Sequence, residues 1–137
     1  MKKNNIIAGL ILFVIVTIIG CTVGGDNNVN PTDPRDKFLG AWKVSETCSR
    51  MNYDVSISAD PGNSAQVLLE NFANPGTGYD PAVGLITSNT ITVSSQIIGE
   101  GWTVNGSGTY QSDGTISWNY HLIISASDEN CTAVYSK

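Results

Sequence analysis

From Phe38 to the C-terminus, short runs in which every second residue is apolar follow one another, each ended by Gly, Asn, Asp or Ser. This rhythm constrains the fold more than any other feature, because a period of two lays alternate side chains on one face of a strand and builds no helical stripe. The cleanest run sets Tyr53, Val55, Ile57 and Ala59 against Asp54, Ser56 and Ser58. In the run from Phe38, Trp42, Val44, Glu46 and Cys48 share a parity, with Lys43, Ser45 and Thr47 opposite. Ile116, Trp118, Tyr120, Leu122 and Ile124 alternate with polar Ser117, Asn119 and His121. Trp102, Val104, Gly106, Gly108 and Tyr110 form another set, and Cys131, Ala133 and Tyr135 the last. In "NTITVSSQII" the same parity predicts Ile91, Val93, Ser95 and Ile97 on one side, whereas "AVGLIT" is short and "AQVLLENF" is apolar on both faces.

Ser88-Asn89, Gly99-Glu100-Gly101 and Asp113-Gly114 supply turns between these runs, and "ANPGTGYDP" is too rich in Pro and Gly to pair regularly. Eight strands with mostly short links predict an all-β domain over residues 37–137, arranged as an antiparallel meander. An open meander leaves its first and last strands unpaired, and closure into a barrel removes both edges. A β-sandwich is the alternative.

The N-terminus reads as an address. Lys2 and Lys3 precede an apolar run from Ile6 to Ile19. It is shorter than the roughly 20 residues that span a bilayer, which is the pattern of a secretory signal peptide. The run ends in Ile18-Ile19-Gly20-Cys21, which closely resembles the lipobox of bacterial lipoproteins. The resemblance implies cleavage after residue 20 and attachment of diacylglycerol to the Cys21 sulfur, with a further acyl group, such as palmitate, on the new amino terminus. Two or more chains hold a protein on a membrane where one holds it only marginally. Residues 21–36 would then be the lipidated cysteine and a flexible linker, rich in Gly, Asn, Asp and Pro. Thr22 stands where the enteric inner-membrane retention signal has Asp, so the resemblance implies an outer-membrane lipoprotein, on either its periplasmic or its outer face. The chain carries 7 basic and 12 acidic residues, and cleavage would remove Lys2 and Lys3 but no acid. Such a surface speaks against nucleic acid as a partner and leaves anchoring to the lipid.

Of the three cysteines, export leaves Cys48 and Cys131 for a disulfide. The rival reading is a pair of free thiols or a metal pair. His121 is the single histidine and no Cys-x-x-Cys occurs, so neither a metal nor another cofactor is expected. If the first and last strands lie antiparallel, the two cysteines meet at the closing seam and Val44 faces Tyr135.

"FLGAWKVSETCS", the Asn71-Phe72 strand end, "GSGTY" and the terminal "CTAVYSK" together resemble the small lipocalin-like lipoproteins of Bacteroidota, and Gly40-Ala41-Trp42 is similar to the Gly-x-Trp of the first lipocalin strand. The resemblance implies a lipocalin-like barrel in the cell envelope and no catalytic residues. His121 falls on the polar face of its run, and no Gly-x-Ser-x-Gly elbow is present, so an enzyme is not expected. The candidate ligand-binding residues are the inward aromatics Trp42, Tyr53, Trp102, Tyr110, Trp118, Tyr120 and Tyr135, with Glu46 among them. They suit either a pocket for a small apolar ligand or a packed core, since an eight-stranded barrel is just wide enough for both. Glu46 is expected to hydrogen-bond in the barrel mouth, to Tyr135 or Tyr53, or else to stand at a solvated strand end. With a packed core, the functional alternative is an envelope interaction protein that binds a protein or glycan, like the barrel-shaped lysozyme inhibitors, whose inhibitory loop "GSGTY" faintly echoes. The domain is expected to be monomeric.

Overall fold

The computed structural model describes residues 32–137. The expected signal peptide, the expected lipidation site Cys21 and the expected linker as far as residue 31 lie outside the described residues. Those described form eight strands: β1 Gly40–Glu46, β2 Asn52–Ala59, β3 Gln66–Glu70, β4 Ala82–Thr87, β5 Thr90–Ile98, β6 Trp102–Tyr110, β7 Ile116–Ile124 and β8 Ser127–Ser136. Each pairs antiparallel with the next, and β1 pairs with β8, so the meander closes into a barrel consistent with a lipocalin-like fold. The sandwich alternative is thereby set aside.

The closing seam follows the predicted register. Val44 lies opposite Tyr135 and Glu46 opposite Ala133. One step on, the Thr47 amide donates to the Thr132 carbonyl at 3.0 Å and the Thr132 amide to the Thr47 hydroxyl at 2.9 Å. Cys48 and Cys131 continue the same register and are joined by a disulfide, with their Cα atoms 5.4 Å apart. The bridge therefore locks the pair of strands most distant in sequence.

The interior follows from the alternation. Trp42, Val44, Val55, Ile57, Ile116, Trp118 and Tyr135 are buried, while their neighbours along each strand point outward. Val67 and Leu69 settle the ambiguous parity of β3, because Leu68 and Glu70 lie on the outer side. Aromatic rings fill the lumen: Phe72 meets Trp118 at 4.9 Å between centroids, and Trp118 meets Tyr135 at 5.5 Å. The glycines of "GSGTY" are what admit those rings. A Cβ on Gly108 would lie 2.4 Å from the Trp118 indole, and one on Gly106 would lie 2.4 Å from the Tyr120 Cβ. That segment is the C-terminal half of β6 and not a loop, so its expected likeness to an inhibitory loop is corrected.

One strand departs from simple parity. Ile97 is 71% exposed while Ile98 is buried, the reverse of the expected placement of Ile97 with Ile91 and Val93. The cause is a β-bulge: Val93 pairs with Gly106 but Gln96 with Val104, so β5 contains one residue more than its partner. The bulge also draws β5 away from β4, and the Gln96 side chain fills the gap. Its carboxamide accepts from the Val83 amide at 2.8 Å and donates to the Val83 carbonyl at 2.9 Å, standing in for a backbone partner.

Residues 33–39 close one end of the barrel. The Asp33 carboxylate accepts the Arg35 amide, and the Phe38 amide donates to the Arg35 carbonyl, folding a turn that buries the Phe38 ring completely. The Trp42 indole N–H donates to the Phe38 carbonyl at 2.7 Å. Arg35 reaches the carbonyls of Asp60, Asn63 and Gln66 at 3.1–3.3 Å. Residues 33–36, read as linker from composition, thus make a hydrogen-bonded Asp-Pro-Arg turn against the barrel.

Candidate functional site

The opposite end is the mouth, where β1, β3, β5 and β7 finish and the Cys48–Cys131 bridge sits. Here a half-open pocket of about 200 Å³ is lined by Glu46, Ala73, Trp102, Leu122, Ile124 and Glu129, among others. Alternation places Leu122 and Ile124 on the inner side of β7, and Trp102 opens β6 beside them. Glu129 comes from β8, which begins three residues earlier than the "NCTAVYSK" run predicts. Ser127 to Asn130 are exposed on both faces, beyond the core, and so leave no apolar alternation to read.

Glu46 is the last residue of β1 and its inward parity is borne out: it is 7% exposed, the one charged residue buried among those described. Its carboxylate accepts hydrogen bonds from the Tyr53 hydroxyl at 2.6 Å, the Tyr120 hydroxyl and the Ser49 amide at 3.1 Å. Ser49 can reach it because the chain turns sharply after Glu46, with Arg50 in the left-handed region at φ 55°. Burial pushes the Glu46 carboxyl up, but the bonds from Ser49, Tyr120 and Tyr53 together outweigh it and hold the group below the ordinary carboxylate range. Glu46 is therefore an anion at neutral pH. The same contacts act oppositely on the donors: burial first, then neighbouring charge and the bond to Glu46, push Tyr53 and Tyr120 far above the ordinary phenol value.

The expected partner Tyr53 is present, but Tyr135 is not one. Its hydroxyl is buried without a protein hydrogen-bond partner, as is the Trp118 indole N–H. Tyr120 takes the place expected of Tyr135, since the pairing of Tyr120 with Cys131 brings it nearer the mouth than the pairing of Ile116 with Tyr135. The other candidates separate by height in the barrel. Trp42 and Tyr110 belong to the closed end, where Tyr110 meets Phe38 at 5.7 Å. Trp118 and Tyr135 fill the middle. Of the residues expected to bind ligand, Glu46 and Trp102 line the mouth pocket, and Tyr53 and Tyr120 support it through Glu46. His121 faces outward and contacts the Asp128 carboxylate.

Sequence reading missed the loop between β3 and β4. Phe72 is buried and plugs the lumen under the pocket, 5.1 Å from Tyr120 between centroids. Ala73 and Asn74 then line the pocket in the left-handed region, at φ 60° and 62°. A left-handed alanine is uncommon and costs about 1 kcal/mol or more. Asn71 holds it there: its side chain donates to the Asp54 carbonyl at 2.9 Å and accepts from the Gly76 amide at 3.0 Å. Pro75 packs on Gly99, where a Cβ would come within 2.6 Å. The available signal was the Asn-Phe-Ala-Asn order, two Asn flanking an apolar pair in a turn.

The grouping of Cys48, Glu129 and Cys131 near the pocket offers no metal site, because the two sulfurs are bonded to each other and only one carboxylate remains. No protein-family model matches this chain, and neither a curated protein nor a solved structure matches it.

Proposed function

We propose that this is a lipid-anchored protein of the outer membrane, exported by its signal peptide and tethered through Cys21, whose lipocalin-like barrel binds a small molecule non-enzymatically. The site is the mouth, not the lumen. One observation carries this reading: the lumen is filled by Trp42, Phe72, Trp118 and Tyr135, while a half-open concavity at the disulfide end joins apolar walls to the buried Glu46. At about 200 Å³ it is smaller than the ~300–1,000 Å³ of pockets for drug-sized ligands, so the ligand is small. The filled lumen also favours a second reading, an envelope protein that presents its outer face to a protein or glycan partner.

The test is native mass spectrometry of the full-length protein purified from its own envelope, alongside palmitate labelling of the wild type and Cys21→Ser. The proposal expects label lost in the variant and a small retained mass that disappears in Leu122→Trp. A co-purified macromolecule with an empty mouth would favour the second reading, and label retained without Cys21 would overturn the anchor.

A further inference from the structure

Glu46 is ionised and buried, yet every donor to it is neutral. Buried anions are ordinarily paired with a cation, because hydrogen bonds alone leave the net charge in a poorly solvating place. Among the described residues the ion pairs are Arg35 with Asp33 and Lys43 with Asp54, and His121 contacts Asp128, none of them at the pocket. The Ser49 amide donates to Oε1 and the Tyr53 and Tyr120 hydroxyls to Oε2, and the Ser49 side chain also favours the ionised form, so the carboxylate is solvated by neutral groups alone and its net charge is uncompensated. Glu129 adds a second carboxylate at the rim. Beside these, Trp102, Leu122, which is the cross-strand partner of Glu129, and Ile124 give an apolar wall, and an indole is the aromatic group best able to attract a cation.

We propose that the mouth pocket is a receptor for a small organic ammonium ion, its charged nitrogen held on the Glu46 and Glu129 side and its hydrocarbon against Trp102, Leu122 and Ile124. This rests on the reading of the mouth as the small-molecule site and names the chemistry of the ligand. An anion would meet two like charges, and a neutral hydrocarbon would bury Glu46 further without compensating it. A metal ion would find too few donors once the sulfurs are spent on each other. An ammonium ion neutralises the charge while its apolar part covers the wall. Binding is non-covalent and changes no bond.

The probes are cyclohexylammonium, cyclohexanol and cyclohexanecarboxylate, three molecules of nearly one shape. Each is titrated by calorimetry and tryptophan emission into the full-length chain in detergent, with empty micelles as the blank. The ammonium should bind at least about tenfold more tightly than the alcohol, and the carboxylate should not bind. Glu129→Gln, an exposed rim change, should weaken the ammonium by about threefold or more with the melting temperature unchanged, and Glu46→Gln should erase the preference over the alcohol. If Glu46→Gln does not fold, the probe series and Glu129→Gln still decide. Equal binding of alcohol and ammonium would overturn the cation assignment and leave the small-molecule mouth standing. Absence of binding by all three, in protein that melts as the wild type does, would overturn both.

Discussion

The two ends of this barrel are built from opposite charges. At the closed end cations are spent on the chain itself: Arg35 donates to the carbonyls of Asp60, Asn63 and Gln66, and Lys137 donates to the Leu39 carbonyl at 2.8 Å while lying 4.4 Å over the Trp42 ring. At the mouth an anion is held by hydroxyls and an amide, with a concavity beside it. A cation donating to carbonyls seals a backbone end, because strand and turn ends expose unsatisfied acceptors. A carboxylate held by neutral donors keeps its net charge for something else. One end is finished by the fold, and the other leaves a buried charge beside an open concavity.

Four measurements would break or sharpen that contrast. The largest effect belongs to the mouth. The disulfide spans a sequence separation of 83, and in the chain-entropy model removing it through the Cys48→Ser, Cys131→Ser pair costs roughly 4–5 kcal/mol. Hydrogen exchange should then rise first around Thr47 and Thr132, with the amides near Trp42 still protected; a uniform loss would mean that the two ends do not melt separately.

Trp42→Ala attacks the closed end. It removes a side chain 1% exposed, its bond to the Phe38 carbonyl and the surface under Lys137, for a loss of about 3–5 kcal/mol in urea unfolding. Ligand binding at the mouth should survive in whatever fraction stays folded. Loss of binding in proportion to the unfolded fraction alone is the expected pattern, and anything greater would couple the ends.

Glu46→Gln should cost roughly 1.5–3 kcal/mol at neutral pH, the range of hydrogen bonds to a charged group. The sign of its pH dependence follows from the depressed carboxyl. The stability that Glu46 contributes is fully present above its unfolded value, ordinarily 4.5, and is lost as pH falls through the lower folded value. The gap between wild type and variant should therefore be constant above about pH 4.5 and narrow as pH falls below it. Asp33 and Asp113 are also depressed, by bonds from Arg35 and Thr115, but both remain in the variant and cancel in the difference. A gap that stays constant with pH would show that Glu46 is not held as an anion. The smallest effect is Lys137→Ala, about 0.5–1.5 kcal/mol, confined to the closed end and absent from the mouth by exchange.

Much of this architecture is readable along the chain. The run from Tyr53 to Ala59 becomes β2 with Val55 and Ile57 inward, Ser88-Asn89 and Asp113-Gly114 become turns, and the parity of Val44 and Tyr135 already implies the seam. Ile97 and Ile98 were not readable in this way. Two adjacent isoleucines give no hint of which is inside, and the answer depends on a bulge set by how β5 meets both its neighbours. The site is harder still. Glu46 could be placed inward, but choosing Tyr120 over Tyr135 as its donor requires knowing the height of each ring in the lumen.

Most strands and turns, the inward face of the cleanly alternating runs and the expectation that Cys48 pairs with Cys131 were set by the sequence alone, because alternation is a local property that survives in any sheet and two cysteines left in one domain have few alternatives. Where the barrel is full and where it is hollow was decided only in three dimensions. Phe72 reaches Trp118 from 46 positions away in the chain, and Glu46 meets Tyr120 across a separation of 74. Contacts of that range depend on the closure of the whole sheet, and no periodicity along the chain encodes them.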